Sequence, residues 1–211
     1  SQSRKKYKPT TWDPNDIAKG EHKEFSLEIA ESYSGITIKL PFIVFRGQKS
    51  GPTVFITAAI HGDEINGTGV IRDLIVNEPF KLQRGTLILV PVANIQGFER
   101  ISRYLPDRRD LNRCFPGAKS GSLSGRLASS LFKEIIRPSD YGIDLHSAAL
   151  RRTNFPHIRA DMSNPQSRQM AEAFGTEIIL DSPGPNGSLR NEATKASCST
   201  IVFEAGETCK V

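Results

Sequence analysis

The chain has 211 residues, of which 37% are hydrophobic and 24% are charged. This composition excludes a collagen-like, low-complexity or largely disordered protein. No apolar run approaches the roughly 18 residues of a transmembrane helix, and residues 1–10 are too polar for a signal peptide. The formal net charge is +5, but the basic residues are scattered, which favours a solvated surface over a nucleic-acid-binding patch. We therefore expect no nucleic acid and no membrane as a partner.

The three cysteines, Cys114, Cys198 and Cys209, are too widely spaced for a disulfide framework or a CxxC zinc site. A reducing, cytoplasmic compartment is therefore expected.

Hydrophobic periodicity predicts the elements of the fold in chain order. Residues 1–23 are polar and are expected to form a tail or a loosely packed arm. Apolar and polar residues alternate on both sides of Gly35, which predicts a hairpin of half-buried strands. Nearly continuous apolar runs over 53–60 and 86–92 predict strands buried on both faces. The further predicted elements are helices over 66–77, 122–136 and 165–174, and strands over 141–145, 177–180 and 199–203.

Strands that alternate with helices indicate an α/β fold with a mainly parallel or mixed sheet, which we assign to residues 24–211. Ligands of such sheets bind beside the carboxyl ends of the strands. The polar residues that follow the predicted buried strands are His61, Asn94, His146 and Glu204. This edge of the sheet is therefore the expected place of the chemistry.

Two histidines lie at this edge, and Glu64 follows His61 by three positions. Two imidazoles and one carboxylate are suitable protein ligands for a catalytic zinc, which keeps a fourth position for water. A lone histidine at a strand end is more often an ordinary hydrogen-bonded residue, but the joint placement of His61 and His146 favours a metal site. Asp144 should project to the same side as His146 and could orient that ligand. The weaker metal candidates are His22, in the polar arm, and His157, which follows a proline.

The segment from 94 to 117 is too long for a routine connection and is rich in polar residues, as functional loops often are. Guanidinium groups bind carboxylates through two parallel hydrogen bonds, so its arginines indicate a carboxylate-bearing ligand. A basic surface loop is the alternative. The arginines are Arg100, Arg103, Arg108, Arg109 and Arg113. Further along the chain, Arg152 and Arg159 are candidates either for a second carboxylate anchor or for an exposed loop.

Glu204 follows the last apolar run and could act as the general base that takes a proton from water. An ordinary glutamate at the edge of the sheet is the alternative. The carboxylates that compete for the same role are Asp63, Asp144, Glu192 and Glu207.

An ordered set of motifs resembles the succinylglutamate desuccinylase/aspartoacylase family, which belongs to the wider zinc carboxypeptidase fold. The motifs are His61-Gly-Asp-Glu64, Asp110-Leu-Asn-Arg113 followed by Phe115-Pro-Gly117, Asp144-Leu-His146 and Glu204-Ala-Gly206. The resemblance implies an α/β/α sandwich around a mixed, mainly parallel sheet. It also implies that the smaller β-rich C-terminal domain with which members usually continue is absent from this sequence.

The same resemblance implies one zinc ion (Zn²⁺) per chain, with His61, Glu64 and His146 as its ligands. It implies that Arg103 polarises the scissile carbonyl, with Arg100 or Arg109 as alternatives because the gap to the next motif varies among relatives. The further implied residues are Asn112 and Arg113, which would hold a substrate carboxylate, and Glu204, which would be the catalytic base.

The implied function is the zinc-dependent hydrolysis of the amide bond of a small, carboxylate-bearing N-acyl amino acid by a metal-activated water, with cleavage of esters as an extension. A carboxypeptidase-like hydrolase of peptides or amino-acid conjugates would need the same ligands. A catalytically silent zinc-binding module is the alternative from another class. The sequence indicates neither the acyl group nor the oligomeric state.

Overall fold

The computed structural model describes residues 7–31 and 37–209. The strands within these residues are β1 (His22–Glu31), β2 (Thr37–Arg46), β3 (Lys49–Ala58), β4 (Arg84–Val90), β5 (Tyr141–Ala148), β6 (Asn154–Ala160), β7 (Ile178–Asp181) and β8 (Ser199–Glu207). They form one eight-stranded sheet in the order β1-β2-β4-β3-β5-β8-β6-β7. The pairs β3–β4, β3–β5, β5–β8 and β6–β7 are parallel, whereas β1–β2, β2–β4 and β6–β8 are antiparallel. The predicted mixed, mainly parallel sheet is thus confirmed.

Helices cover both faces of this sheet. They are α1 (Asn66–Asn77), α2 (Ile95–Phe98), α3 (Leu123–Leu131), α4 (Pro165–Phe174) and α5 (Leu189–Lys195). The side chains of β3 alternate between the two faces of the sheet. Phe55 packs on one face with residues of α3 and α5, and Ala58 packs on the other face with residues of α1. The apolar side chains of α4 pack on the same face as α1, beyond β5. The predicted α/β/α sandwich is therefore confirmed.

Most element boundaries agree with the sequence-based predictions. The helix predicted over 122–136 begins at α3 after Ser122, whose side chain accepts a hydrogen bond from the Gly125 backbone, and continues as a π-helical turn over Phe132–Ile136. The predicted hairpin is formed by β1 and β2, and its turn around Gly35 lies outside the described residues. Among the residues that the structure describes, no helix has the length and apolar character needed to cross a membrane.

The expected loose packing of the N-terminal arm is wrong for its described part. Trp12 is 5% exposed and Ile17 is 3% exposed, and both belong to the core on the α3 face of the sheet. The Trp12 indole Nε1 donates to the carbonyl of Glu134 at 2.8 Å. The Glu134 carboxylate accepts hydrogen bonds from the backbone and hydroxyl groups of Thr10 and Thr11. The polar composition concealed this role because only two large apolar side chains provide the burial.

Two elements that border the site, β6 and α5, were not predicted from the sequence. Pro156 interrupts the pattern of β6, and two of its polar residues, His157 and Arg159, lie opposite Glu204 and Val202 of β8 on a face that also carries apolar side chains. The helix α5 is short, and its apolar buried residues are only Leu189 and Ala193. Neither segment therefore shows a clear hydrophobic period.

Candidate active site

Three buried side chains converge beside the carboxyl ends of β3 and β5. His61 and Glu64 lie in the turn between β3 and α1, and His146 lies on β5. Glu64 bridges the two imidazoles, with 2.8 Å from its Oε1 to Nδ1 of His61 and 2.8 Å from its Oε2 to Nδ1 of His146. The ligand atoms of the three residues lie within 4.8 Å of one another. Two imidazole nitrogens and a carboxylate at this separation fit a divalent metal such as zinc.

The turn that carries His61 and Glu64 depends on a glycine. A Cβ atom at Gly62 would collide with the backbone of Gly97, at the start of the long loop. The tight contact brings this loop against the turn that carries His61 and Glu64. A larger residue at position 62 would therefore displace one of the two segments.

Outer carboxylates orient both imidazoles. Oδ2 of Asp144 lies 2.7 Å from Nε2 of His146, and Oδ1 of Asp110 lies 3.2 Å from Nε2 of His61. Each ring therefore turns its Nδ1 toward Glu64, and the carboxylate on the other side fixes its orientation. The expectation that Asp144 shares a side with His146 is confirmed, whereas the contact of Asp110 was not predicted.

This cluster shifts the pKa values of its members strongly. Burial alone would lower the pKa of His146, but Asp144 and Glu64 raise it well above its ordinary value. For His61 the hydrogen bonds to Asp110 and Glu64 likewise outweigh burial and raise the pKa. Burial would raise the pKa of Glu64, but the two imidazoles hold it far below its usual range. Such coupled, buried groups beside a cavity are typical of functional sites.

A cavity of about 340 Å³ adjoins the cluster and is strongly basic. Glu204 and the three clustered residues line it together with Asn112, Ser147 and Asn154. The arginines that line it are Arg103, Arg113, Arg152, Arg159 and Arg190. The excess of guanidinium groups over carboxylates favours an anionic ligand.

Of the arginines considered for the carbonyl-polarising role, the structure brings Arg103 to the cavity. Its Nη1 lies 3.4 Å from Oε1 of Glu64, and its Nη2 donates to Asp110 at 3.1 Å. Arg100 and Arg109 do not line this cavity. The guanidinium of Arg103 is thus held beside the candidate metal ligands, and its role in a reaction stays a prediction.

Asn112 and Arg113 occupy the cavity wall on a short 3₁₀ turn. The turn is capped by Asp110, whose Oδ1 accepts from the Asn112 backbone at 2.8 Å. Oδ1 of Asn112 accepts from the backbone of Leu189 at 2.9 Å, which leaves Nδ2 without a partner among the described residues. A free amide and an exposed guanidinium on one wall suit a carboxylate.

Glu204 lies on β8, directly opposite His146 in the parallel pairing of β5 and β8. Its Oε2 accepts from Nδ2 of Asn154 at 2.8 Å, and its Oε1 lies 3.6 Å from Nε of Arg159. Four other carboxylates were candidates for the general base. Asp144 contacts His146 instead, and the remaining three do not line the cavity, namely Asp63, Glu192 and Glu207. Of the carboxylates considered for the base, Glu204 is therefore the one that lines the cavity among the described residues, and its role stays a prediction.

Asn94 was a candidate for the site because it follows a predicted buried strand. In the structure its side chain forms hydrogen bonds within the fold and does not line the cavity. It is fully buried, and its Oδ1 accepts from the backbone of Gly97 at the start of α2. Its Nδ2 lies 3.3 Å from the carbonyl of Ile60 and 3.4 Å from that of Arg103. Asn94 therefore ties the loop that carries Arg103 to the end of β3.

Arg190 is a cavity residue that sequence reasoning missed. It is 6% exposed, and no residue in the described part of the chain forms a hydrogen bond or ion pair with its guanidinium; its Nη1 is buried without a partner. Burial, reinforced by the charge of Arg159, lowers the pKa of Arg190 to about 10. Its position follows from the start of α5, where the side chain of Ser188 caps the helix.

The sequence profile of the succinylglutamate desuccinylase/aspartoacylase catalytic domain matches residues 50–211. N-α-acetyl-L-2,4-diaminobutyric acid deacetylase of Halomonas elongata is 32% identical over 144 residues, which cover 65% of this chain and 42% of that protein. A succinylglutamate desuccinylase/aspartoacylase from Rhodobacter sphaeroides is 26% identical, with a TM-score of 0.76 over 91% of this chain and 60% of that one.

The product-bound ectoine utilization protein EutE (DoeB) of Ruegeria pomeroyi shares the fold, with a TM-score of 0.80 at 22% identity over 97% of this chain and 65% of that one. The chain thus spans less than two thirds of the length of each of these relatives. Because the profile match covers most of the sequence, the chain belongs to the succinylglutamate desuccinylase/aspartoacylase family.

Proposed function

We propose that this chain is the catalytic part of a zinc-dependent hydrolase that removes the acyl group from a small, carboxylate-bearing N-acyl amino acid. The observation that carries the proposal is the convergence of the His61–Glu64–His146 cluster and Glu204 on one arginine-lined cavity. Membership of the family and the 32% identity to a deacetylase support the same class of reaction.

In this proposal His61, Glu64 and His146 hold one zinc ion per chain. Zinc bound by such ligands lowers the pKa of a water molecule and polarises a carbonyl group. Asp110 and Asp144 would fix the orientation of the two imidazoles. Each of these carboxylates accepts the Nε2 hydrogen of its histidine, which leaves the Nδ1 atom of that ring for the metal.

Glu204 is the general base of the proposed reaction. It lies opposite His146 on the neighbouring strand, and Asn154 fixes one of its oxygens. It accepts a proton from the attacking water and returns it to the departing amine, so that both steps use one carboxylate. The proton therefore does not have to leave the cavity between the two steps.

Arg103 stabilises the negative charge that develops on the carbonyl oxygen. Its guanidinium is held in place by Glu64 and Asp110, so it is oriented before the ligand binds. Loss of one such donor typically raises the barrier by about 3–4 kcal/mol.

The remaining polar groups of the cavity bind the carboxylates of the substrate. Asn112 and Arg113 form one anchor on the loop, and Arg159 lines the cavity from β6. We add Arg190 to these anchors, because a buried guanidinium with no partner is stabilised when an anion pairs with it. A substrate held at two points places its amide bond reproducibly beside Glu204.

Metal content and a substrate panel test the proposal together. The purified chain is expected to retain stoichiometric zinc and to hydrolyse N-acetyl or N-succinyl amino acids faster than dipeptides. Faster hydrolysis of dipeptides would support the carboxypeptidase-like alternative. Zinc retention with no hydrolysis over the whole panel would identify a silent module and overturn the proposal.

A further inference from the structure

Strand β6 presents two neighbouring polar side chains to the candidate base. In the antiparallel pairing of β6 and β8, His157 is opposite Glu204 and Arg159 is opposite Val202. Alternate residues of a strand share a face, so His157 and Arg159 project to the same side of the sheet as Glu204. Arg159 and Glu204 line the cavity, whereas His157 is 8% exposed and does not line it.

The contacts of His157 define its tautomer. Its Nδ1 lies 2.7 Å from the carbonyl oxygen of Phe155, which can only accept a hydrogen bond. Nε of Arg159 lies 3.3 Å from Nε2 of His157 and can only donate. His157 is therefore the neutral tautomer with its hydrogen on Nδ1, and its Nε2 is an acceptor dedicated to Arg159.

This contact determines how Arg159 meets Glu204. Oε1 of Glu204 lies 3.6 Å from Nε of Arg159, which is within ion-pair distance but too long for a hydrogen bond. An arginine beside a carboxylate ordinarily forms two parallel hydrogen bonds with it. Because His157 accepts the Nε hydrogen, Arg159 cannot use Nε and an Nη group together for the side-on form of that pair with Glu204. The Nη groups of Arg159 have no partner among the described residues and stay available to a ligand.

We propose that His157 is a positioning residue that holds Arg159 beside Glu204 and away from a bidentate pair with it. Glu204 then keeps an oxygen that can accept a proton, and Arg159 keeps its Nη groups for a substrate carboxylate. This inference rests on the proposed function, because it assigns Glu204 as the base and Arg159 as an anchor.

The test compares His157→Leu with His157→Gln in the zinc-loaded protein. Leucine offers no acceptor for the Nε hydrogen, so Arg159 is expected to pair with Glu204. We then expect kcat to fall about tenfold, which is the equivalent of one hydrogen bond to a charged group, and KM to rise. The amide oxygen of glutamine accepts the Nε hydrogen and keeps both constants within about twofold of the wild type. Zinc content and thermal midpoint, measured for each variant, identify any loss of fold or metal.

A double-mutant cycle with Arg159→Met separates positioning from a structural role. Arg159→Met alone is expected to raise KM with little change in kcat, and His157→Leu is expected to leave kcat unchanged in that background. If His157→Leu lowers kcat equally with and without Arg159, or has no effect at all, the inference is wrong.

Spectroscopy tests the contact independently of turnover. In ¹⁵N-labelled wild-type protein, His157 is expected to show a protonated Nδ1 and an unprotonated Nε2 whose resonance shifts in Arg159→Met. A wild type that hydrolyses no N-acyl amino acid would refute the proposed function without changing this spectrum. A protonated Nε2, or no shift in Arg159→Met, would overturn the positioning role itself.

Discussion

We expect Arg190→Met to raise the stability of the ligand-free protein and to weaken its binding of an acidic ligand. The guanidinium is 6% exposed and none of the described residues pairs with it, so its charge is unfavourable in the ligand-free fold. Its pKa falls from its ordinary value to about 10, which corresponds to roughly 3 kcal/mol against the charged form in the folded state. Because the folded pKa is the lower one, this cost is present at every pH below about 10, including neutral pH.

Methionine removes the charge and keeps a side chain of similar length. Since methionine does not fill the space of a guanidinium perfectly, we expect about 1–3 kcal/mol of the cost to be recovered. For a chain of this size the thermal midpoint should rise by about 2–4 °C per kcal/mol. The affinity for an acidic product should fall at the same time by about 30- to 100-fold, the value of a charge-assisted hydrogen bond.

Urea unfolding and calorimetric titration of the same samples measure both quantities. Arg152→Met is the matched control, because Arg152 lines the same cavity but is exposed and should give no gain in stability. A decrease in the unfolding free energy of Arg190→Met would show that the guanidinium stabilises the ligand-free protein. Unchanged affinity for the product would refute its role as an anchor.

Three further substitutions test the remaining parts of the site and the fold. Glu204→Gln should retain zinc and bind product, yet lose about 10²- to 10⁴-fold in kcat; near wild-type turnover would remove Glu204 as the base. Asp144→Asn should weaken zinc binding about 10- to 100-fold in a chelator competition, because His146 loses its orienting carboxylate, and an unchanged affinity would contradict that contact. Glu134→Gln should lower the unfolding free energy by about 2 kcal/mol at neutral pH. Since hydrogen bonds from Thr10 and Thr11 overcome the effect of burial and lower the pKa of Glu134, this stabilisation is present above its ordinary pKa of 4.5 and lost as pH falls below it. Unfolding of the wild type and Glu134→Gln should therefore converge in acid, and a constant difference would argue against the charge.

The candidate metal ligands could be predicted because a general rule of α/β sheets places them. His61 and His146 follow or end buried strands whose apolar runs are clear in the sequence, and parallel neighbours bring those strand ends together. Glu204 follows the same rule on β8, next to β5. The contact of Asp110 with His61 could not be predicted, since it joins the long loop to a strand end across 49 positions of sequence.

Arg190 illustrates why the rest of the site was not predictable. Its burial depends on the packing of α5, a seven-residue helix with few apolar residues, against the long loop, where the Leu189 backbone donates to Oδ1 of Asn112. One arginine among many carries no sign of burial in the sequence. The information lies in tertiary packing, which also turned the polar segment around Trp12 into part of the core.

The placement of β6 follows from a short connection, although its sequence hides the strand. Parallel strands need a crossover of a dozen or more residues, whereas only residues 149–153 separate β5 from β6. The chain must therefore re-enter the sheet at the end where β5 and its parallel neighbour β8 finish. This makes β6 antiparallel to β8. The first residues of β6 then lie beside the last residues of β8, and Asn154 reaches Glu204 directly. A parallel strand would begin at the other end of the sheet, away from Glu204. The antiparallel direction of β6 therefore brings Asn154, His157 and Arg159 to the candidate base.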